Sequence, residues 1–181
     1  VGSEQIISAL FGYGSFDEIS ASNSANALYY FGLGLPAFAL IKVFSTFFFA
    51  NQDTKTPFYI SLISVILNIL ISIYFFRDIG FLIIPIATTI SSWFNAIILF
   101  LYLKNNNLFS FSDLFFIKFS KILLASILMG IFFDYLILFF ENKLIYEYNL
   151  KSIYLIFSSF LSLIFYLSFS LFIKAFKYGD I

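Results

Sequence analysis

Five apolar runs, at residues 27–50, 57–76, 79–103, 114–140 and 152–176, fill most of this chain, with short polar links between them. A helix rises 1.5 Å per residue, so about 20 residues cross a hydrocarbon core of about 30 Å, and every run reaches that length. The fold this predicts is all-α, a polytopic transmembrane helix bundle with five full spans. Links at 51–56, 77–78, 104–113 and 141–151 are short enough to make neighbouring spans antiparallel.

Composition agrees with lipid as the solvent. Hydrophobic residues make up 61% and charged residues 11%, against roughly 45–50% and about 25% in an ordinary soluble domain, and mean hydropathy is +0.98. Ten basic and ten acidic side chains leave no net charge, so there is no basic surplus to neutralise a nucleic-acid backbone. The absence of Cys and His removes disulfides, thiolate nucleophiles, imidazole bases and the usual zinc ligands. No catalytic residue and no metal ligand set is expected, and the chain reads as a protein that is not an enzyme. It opens on Val1 without the basic start and short apolar core of a secretory signal, and reads as the C-terminal part of a longer membrane protein.

Residues 1–26 carry the apolar patch 6–11, the turn Gly12-Tyr13-Gly14 and a Ser/Asn/Asp/Glu stretch, the pattern of the end of a preceding helix and an outer loop. Thr56 is expected to cap the second span and Pro57 to occupy its first turn, where a missing amide hydrogen costs nothing. Gly80, after Arg77-Asp78, sets up the reversal into the third span. Counting Lys and Arg on alternate sides gives Lys55, Lys104, Lys118, Lys121, Lys174 and Lys177 on one face and Arg77, Lys143 and Lys151 on the other. The latter are accompanied by Asp17, Glu18, Asp78, Glu141 and Glu147. The richer side should be cytoplasmic, which places the 104–113 loop and the tail 177–181 inside the cell.

The polar groups inside the spans are the candidate functional residues. Lys42 lies within the first span, where a Lys costs about 2.5–3.5 kcal/mol against apolar neighbours worth about −0.3 to −0.6 each. It either snorkels its ammonium to the interface or faces a hydrated cavity that attracts an anionic head group. Gly32, Gly34 and Pro36 can loosen the hydrogen-bond ladder into a kink, or admit a neighbouring helix closely. In the second span Ser61, Ser64, Asn68 and Ser72 share one helical face, and the third span answers with Thr88, Ser92 and Asn95. Two such stripes make a packing seam or a small oxygen-lined ion site. Ser126, Gly130 and Asp134 on the fourth span, and Ser158, Ser162, Tyr166 and Ser170 on the fifth, look like contact faces of small residues.

From about residue 27 to 95 the chain resembles the MurJ/MviN lipid II flippases of bacteria, within the multidrug/oligosaccharidyl-lipid/polysaccharide exporter superfamily. The resemblance is carried by Gly34-Leu35-Pro36-Ala37-Phe38, Lys42-Val43 and Phe49-Ala50-Asn51-Gln52-Asp53-Thr54-Lys55-Thr56-Pro57, which look like the family's tenth helix and the loop after it. Leu10-Phe11-Gly12-Tyr13-Gly14-Ser15-Phe16 resembles the segment before that helix. Ile86-Ala87-Thr88-Thr89 with Trp93-Phe94-Asn95-Ala96 resembles the twelfth helix. Beyond Leu103 the likeness is one of hydropathy and helix count.

The resemblance implies helices ten to fourteen of a fourteen-helix exporter. Residues 27–103 would form three spans of the C-terminal lobe, and 114–176 two terminal spans lining a groove for a lipid tail. It also implies an ion site at Asn68, Ser72, Ile84 through its carbonyl, and Thr88, with Ser72 offering a neutral hydroxyl where the family carries a carboxylate. The function it implies is translocation of an undecaprenyl-pyrophosphate-linked peptidoglycan precursor across the bacterial inner membrane by alternating access. No organic cofactor is expected, and coupling would come from Na+ or the membrane potential. Expected partners are that lipid-linked precursor, membrane lipid and an N-terminal half of the same protein, with no nucleic acid. Rival readings are a flippase for another polysaccharide precursor, a membrane-embedded glycosyltransferase, or a scaffold.

Overall fold

The computed structural model describes residues 2–14, 16–106, 108, 113–145, 148 and 150–175, with the backbone alone at 113 and 114. Six α-helices follow in order: α1 Ser3–Phe11, α2 Glu18–Ala50, α3 Lys55–Ile79, α4 Ile83–Asn105, α5 Asp113–Phe139 and α6 Lys151–Phe172. Single 3-10 turns lie at Gly80–Leu82 and Glu141–Lys143. Helices α2 to α6 run for 33, 25, 23, 27 and 22 residues, so each is long enough to cross a bilayer. The described helices form the all-α membrane-type bundle that the apolar runs predict. Large apolar side chains point outward along them, with Ile73 71% and Phe139 70% exposed. Water would not tolerate that surface, whereas acyl chains do.

The stretch Lys55–Asn105 is apolar almost throughout, yet it is two crossings. Gly80 adopts φ +69° and ψ −149°, a conformation that side chains resist and glycine accepts. The hydrogen bonds across α3 and α4 then pair Asn68 with Thr88 and Ser61 with Asn95. Partners that recede along one helix as they advance along the other define an antiparallel hairpin.

Several boundaries differ from the sequence expectation. Helix α2 begins at Glu18, nine residues before the apolar run, so most of the expected outer loop is helical. Asp17 caps it by accepting the Ser20 amide at 2.9 Å, and its carboxyl is held below the ordinary value by Ser20, through the side chain first and the backbone second. Ala21 and Ala25 then bury against Ile7 with Phe16 packed alongside. At the start of α3 the cap is Asp53 and not Thr56: its carboxylate accepts the amides of Lys55 at 3.1 Å and Thr56 at 3.0 Å. The helix therefore starts at Lys55, with Pro57 still in the first turn, where it displaces no hydrogen bond. Arg77 and Asp78 belong to the last turn of α3, and α4 starts at Ile83 after the 3-10 turn. Helix α6 ends at Phe172. The expected end of the fifth span at Phe176, the tail 177–181 with Lys177, Glu147 and half of the 104–113 loop lie outside the described residues.

The chain divides into two compact units, one of Val1–Ala25 with Phe111–Ile181 and one of Asn26–Ser110. In the first, α5 and α6 run antiparallel, with Phe132 stacked on Phe165 at 4.6 Å and Phe140 against Tyr154 at 5.4 Å. Ser158, Ser162 and Ser170 of α6 are fully buried, as a small-residue packing face requires. The matching expectation for α5 fails: Ser126 and Asp134 are exposed, a Cβ built on Gly130 would meet nothing within 4 Å, and the buried side chains are Ala125, Leu136 and Ile137. In the second unit α2 packs on the α3–α4 hairpin through Phe44, Phe48, Ile60, Leu99 and Leu103.

Candidate functional site

The two polar stripes meet. Asn68 Nδ2 donates to Thr88 Oγ1 at 3.1 Å and to Ser91 Oγ at 3.3 Å, and Asn95 Nδ2 donates to Ser61 Oγ at 3.3 Å. Thr88 Oγ1 in turn donates to the Ile84 carbonyl at 2.8 Å, and Ser91 and Ser92 donate to the Thr88 carbonyl at 3.0 and 2.6 Å. The Thr88, Ser91 and Ser92 hydroxyl protons each have an acceptor, and Thr88 Oγ1, Ser91 Oγ, Ser61 Oγ and the Ile84 and Thr88 carbonyls already accept hydrogen bonds. Ser72 is half-buried one turn from Asn68, and the Ile84 side chain is exposed. Asn95 Oδ1 is the one buried acceptor of the seam without a partner among the described residues. The arrangement is that of a hydrogen-bonded helix interface.

Lys42 sits on the opposite kind of surface. Helix α2 buries Gly34, Ala37, Phe44 and Phe48, with Ile41 half-buried between them, at alternating steps of three and four that bring them to one side. Leu35, Ala39, Lys42 and Thr46 repeat at similar steps on another side, and all four are exposed. Two of them are small, so the ammonium stands proud of its neighbours.

The Gly32–Pro36 segment does not end α2, which continues through Pro36. Helix α4 lies against the turn before it. Thr89 Oγ1 donates to the Tyr30 carbonyl at 2.7 Å, and Trp93 Nε1 donates to the Leu33 carbonyl at 3.0 Å. A Cβ on Gly34 would lie 3.0 Å from Thr89 Oγ1, so the glycine is what lets the two helices come this close. Partner numbers rise together from Tyr30–Thr89 to Phe48–Tyr102, which makes α2 and α4 parallel.

Comparison with known proteins supplies the family. A family model described as "Lipid II flippase MurJ" matches residues 1–157. The chain belongs to this family. Relatives named "Probable lipid II flippase MurJ" include one from Rickettsia prowazekii, 32% identical over 148 residues, covering 82% of this chain and 29% of the relative. Another, from Rhizobium meliloti, is 40% identical over 100 residues, covering 55% and 19%. A third, from Thermotoga maritima, is 34% identical over 128 residues, covering 71% and 25%. The chain thus spans less than a third of the length of the relatives it matches.

Within this MurJ-family chain, sequence reasoning missed Ser91, Thr89 and Trp93. Ser91 lies three residues after Thr88 and four before Asn95, so helical spacing places it in the stripe beside Ser92. Thr89 and Trp93 donate to backbone carbonyls, which leave no mark in the acceptor's sequence, although their four-residue spacing was visible. Lys151, counted among the outer charges, is the first residue of α6 and 1% exposed. Its Nζ donates to the Gly12 carbonyl at 2.7 Å, so it contributes to the interior of its unit and not to a loop.

Proposed function

We propose that this chain works as the C-terminal portion of a lipid II flippase, moving an undecaprenyl-pyrophosphate-linked peptidoglycan precursor from the cytoplasmic to the outer leaflet by alternating access. The observation that carries the reading is Lys42, a cation held in an apolar helix on a face lined by small residues. A pyrophosphate crossing hydrocarbon needs its charge balanced, and an ammonium flanked by Ala39 and Thr46 leaves room for it to approach. The lipid tail needs no protein charge, and α5 and α6, with their outward Leu, Ile and Phe side chains, suit a path along which it remains in acyl surroundings.

In this reading the process is transport without covalent chemistry. Asn68, Ser72, Ile84 and Thr88 serve as helix-interface residues that keep α3 and α4 together while the protein changes state. The inner membrane is the location, with the C-terminus cytoplasmic. The lysine asymmetry supports that orientation. The test is genetic and biochemical together. Cells depleted of their own flippase should regain growth and outer-leaflet lipid II when given the whole protein. Growth without outer-leaflet precursor, or neither, would overturn the assignment.

A further inference from the structure

We infer that Thr89 and Trp93 are positioning residues of the transport step: they set the direction in which α2 passes through Gly32–Pro36, and so the direction in which Lys42 faces. The functional half of this rests on the flippase reading above; the structural half does not.

Pro36 has no amide hydrogen, so the Gly32 carbonyl lacks its helical donor, and glycines at 32 and 34 add no side-chain restraint. A helix weakened in this way takes the direction its surroundings impose. Here the surroundings are specific. Tyr30 and Leu33 share one face in the turn just before Pro36, and their carbonyls receive the Thr89 hydroxyl and the Trp93 indole N–H, which are one turn apart on α4.

The choice of partner by Thr89 is informative. Helical hydroxyls in this chain usually bond their own helix, as Thr88 does to Ile84, Ser64 to Ile60 and Ser126 to Ile122. Thr89 instead donates across to α2, and the missing side chain at Gly34 permits it. In hydrocarbon no water is available to take over either bond. Past Pro36, Phe44 and Phe48 hold α2 to α4 a second time, through Leu99 and Leu103. Lys42 lies between these two attachments, so the first one governs the angle between the halves of α2.

The experiment measures that angle directly. Spin labels at the exposed positions Asn26 and Ala50 would be about 36 Å apart along a straight helix, and this chain adds no cysteine of its own. In the whole protein reconstituted in lipid, T89V with W93F should shift and broaden the distance distribution, and lower lipid II delivery several-fold. T89S, which keeps the hydroxyl, should restore both. An unchanged distribution in the double variant would overturn the inference, as would T89S behaving like T89V, since packing of the methyl group would then be what matters. The single variant W93F keeps the ring and its packing, and should give an intermediate distribution, so a double variant that does not fold leaves the question open to measurement. Absence of delivery by the unsubstituted protein would count against the flippase reading and not against the distance result.

Discussion

Lys151 Nζ donates a 2.7 Å hydrogen bond to the carbonyl of Gly12, 139 residues earlier in the chain. Gly12 closes α1, so the cation meets the negative end of that helix, and it also lies 4.6 Å from the centre of the Tyr13 ring. Beside it the Tyr13 hydroxyl and Ser152 Oγ are 2.6 Å apart, and Ser152 Oγ donates to the Ala9 carbonyl. Together these pin α1 and its following turn to the start of α6. Lys151→Met keeps the stem and removes the donor, leaving a buried carbonyl short of a partner at a cost of about 1–3 kcal/mol. Thermal unfolding of the reconstituted protein should register that loss, with faster amide exchange in α1; an unchanged melt would show that the pin contributes nothing.

The α3–α4 seam makes a quantitative prediction about what kind of polar site it is. Interhelical hydrogen bonds in membranes average about 0.6 kcal/mol, so a double-mutant cycle of Asn68→Ala and Thr88→Val should give a coupling below about 1.5 kcal/mol, the same in sodium and in choline salts. A coupling several times larger that appears only with sodium would make the seam an ion site.

Gly34 is required by the approach of Thr89. A Cβ there would sit 3.0 Å from Thr89 Oγ1 and 3.3 Å from the Phe38 ring, so Gly34→Val should cost about 1–3 kcal/mol by overpacking, while Gly32→Ala, with open space around it, should be nearly neutral. Equal effects of the two in a stability assay would contradict the close approach of α2 and α4.

Asp53 gives the loop before α3 a pH signature. Its carboxyl lies below the ordinary value of 3.8, chiefly because of the Thr56 hydroxyl and then the Thr56 amide. A depressed folded-state value means that the cap contributes fully above the unfolded value and is lost as pH falls through the folded one. Protection of the Lys55 and Thr56 amides from exchange should therefore hold at neutral pH and collapse only below about pH 3.8, near the ordinary carboxyl value. Asp53→Ala should abolish both the protection and its pH dependence.

The crossings were legible because lipid imposes one rule, length and apolarity, and the five runs obey it. The start of α2 was not, because residues 18–26 are polar in composition and declare themselves helical only through Asp17 at the cap and Ala21 and Ala25 against Ile7. The facing of Asn68 and Thr88 followed from helical periodicity alone. The role of Thr89 and Trp93 did not, since periodicity locates side chains on faces and says nothing about which carbonyls a neighbouring helix offers. Lys151 misled for a related reason: a charge beside a loop reads as solvated until its partner, far away in sequence, is known.

The most direct measurement of the account is lipid II translocation by the purified whole protein in vesicles, with Lys42 replaced. Lys42→Arg keeps the positive charge and should keep most of the activity, while Lys42→Met keeps the length and apolar stem and should abolish it without altering the melt. Full activity in Lys42→Met would contradict the claim that this ammonium meets the transported head group.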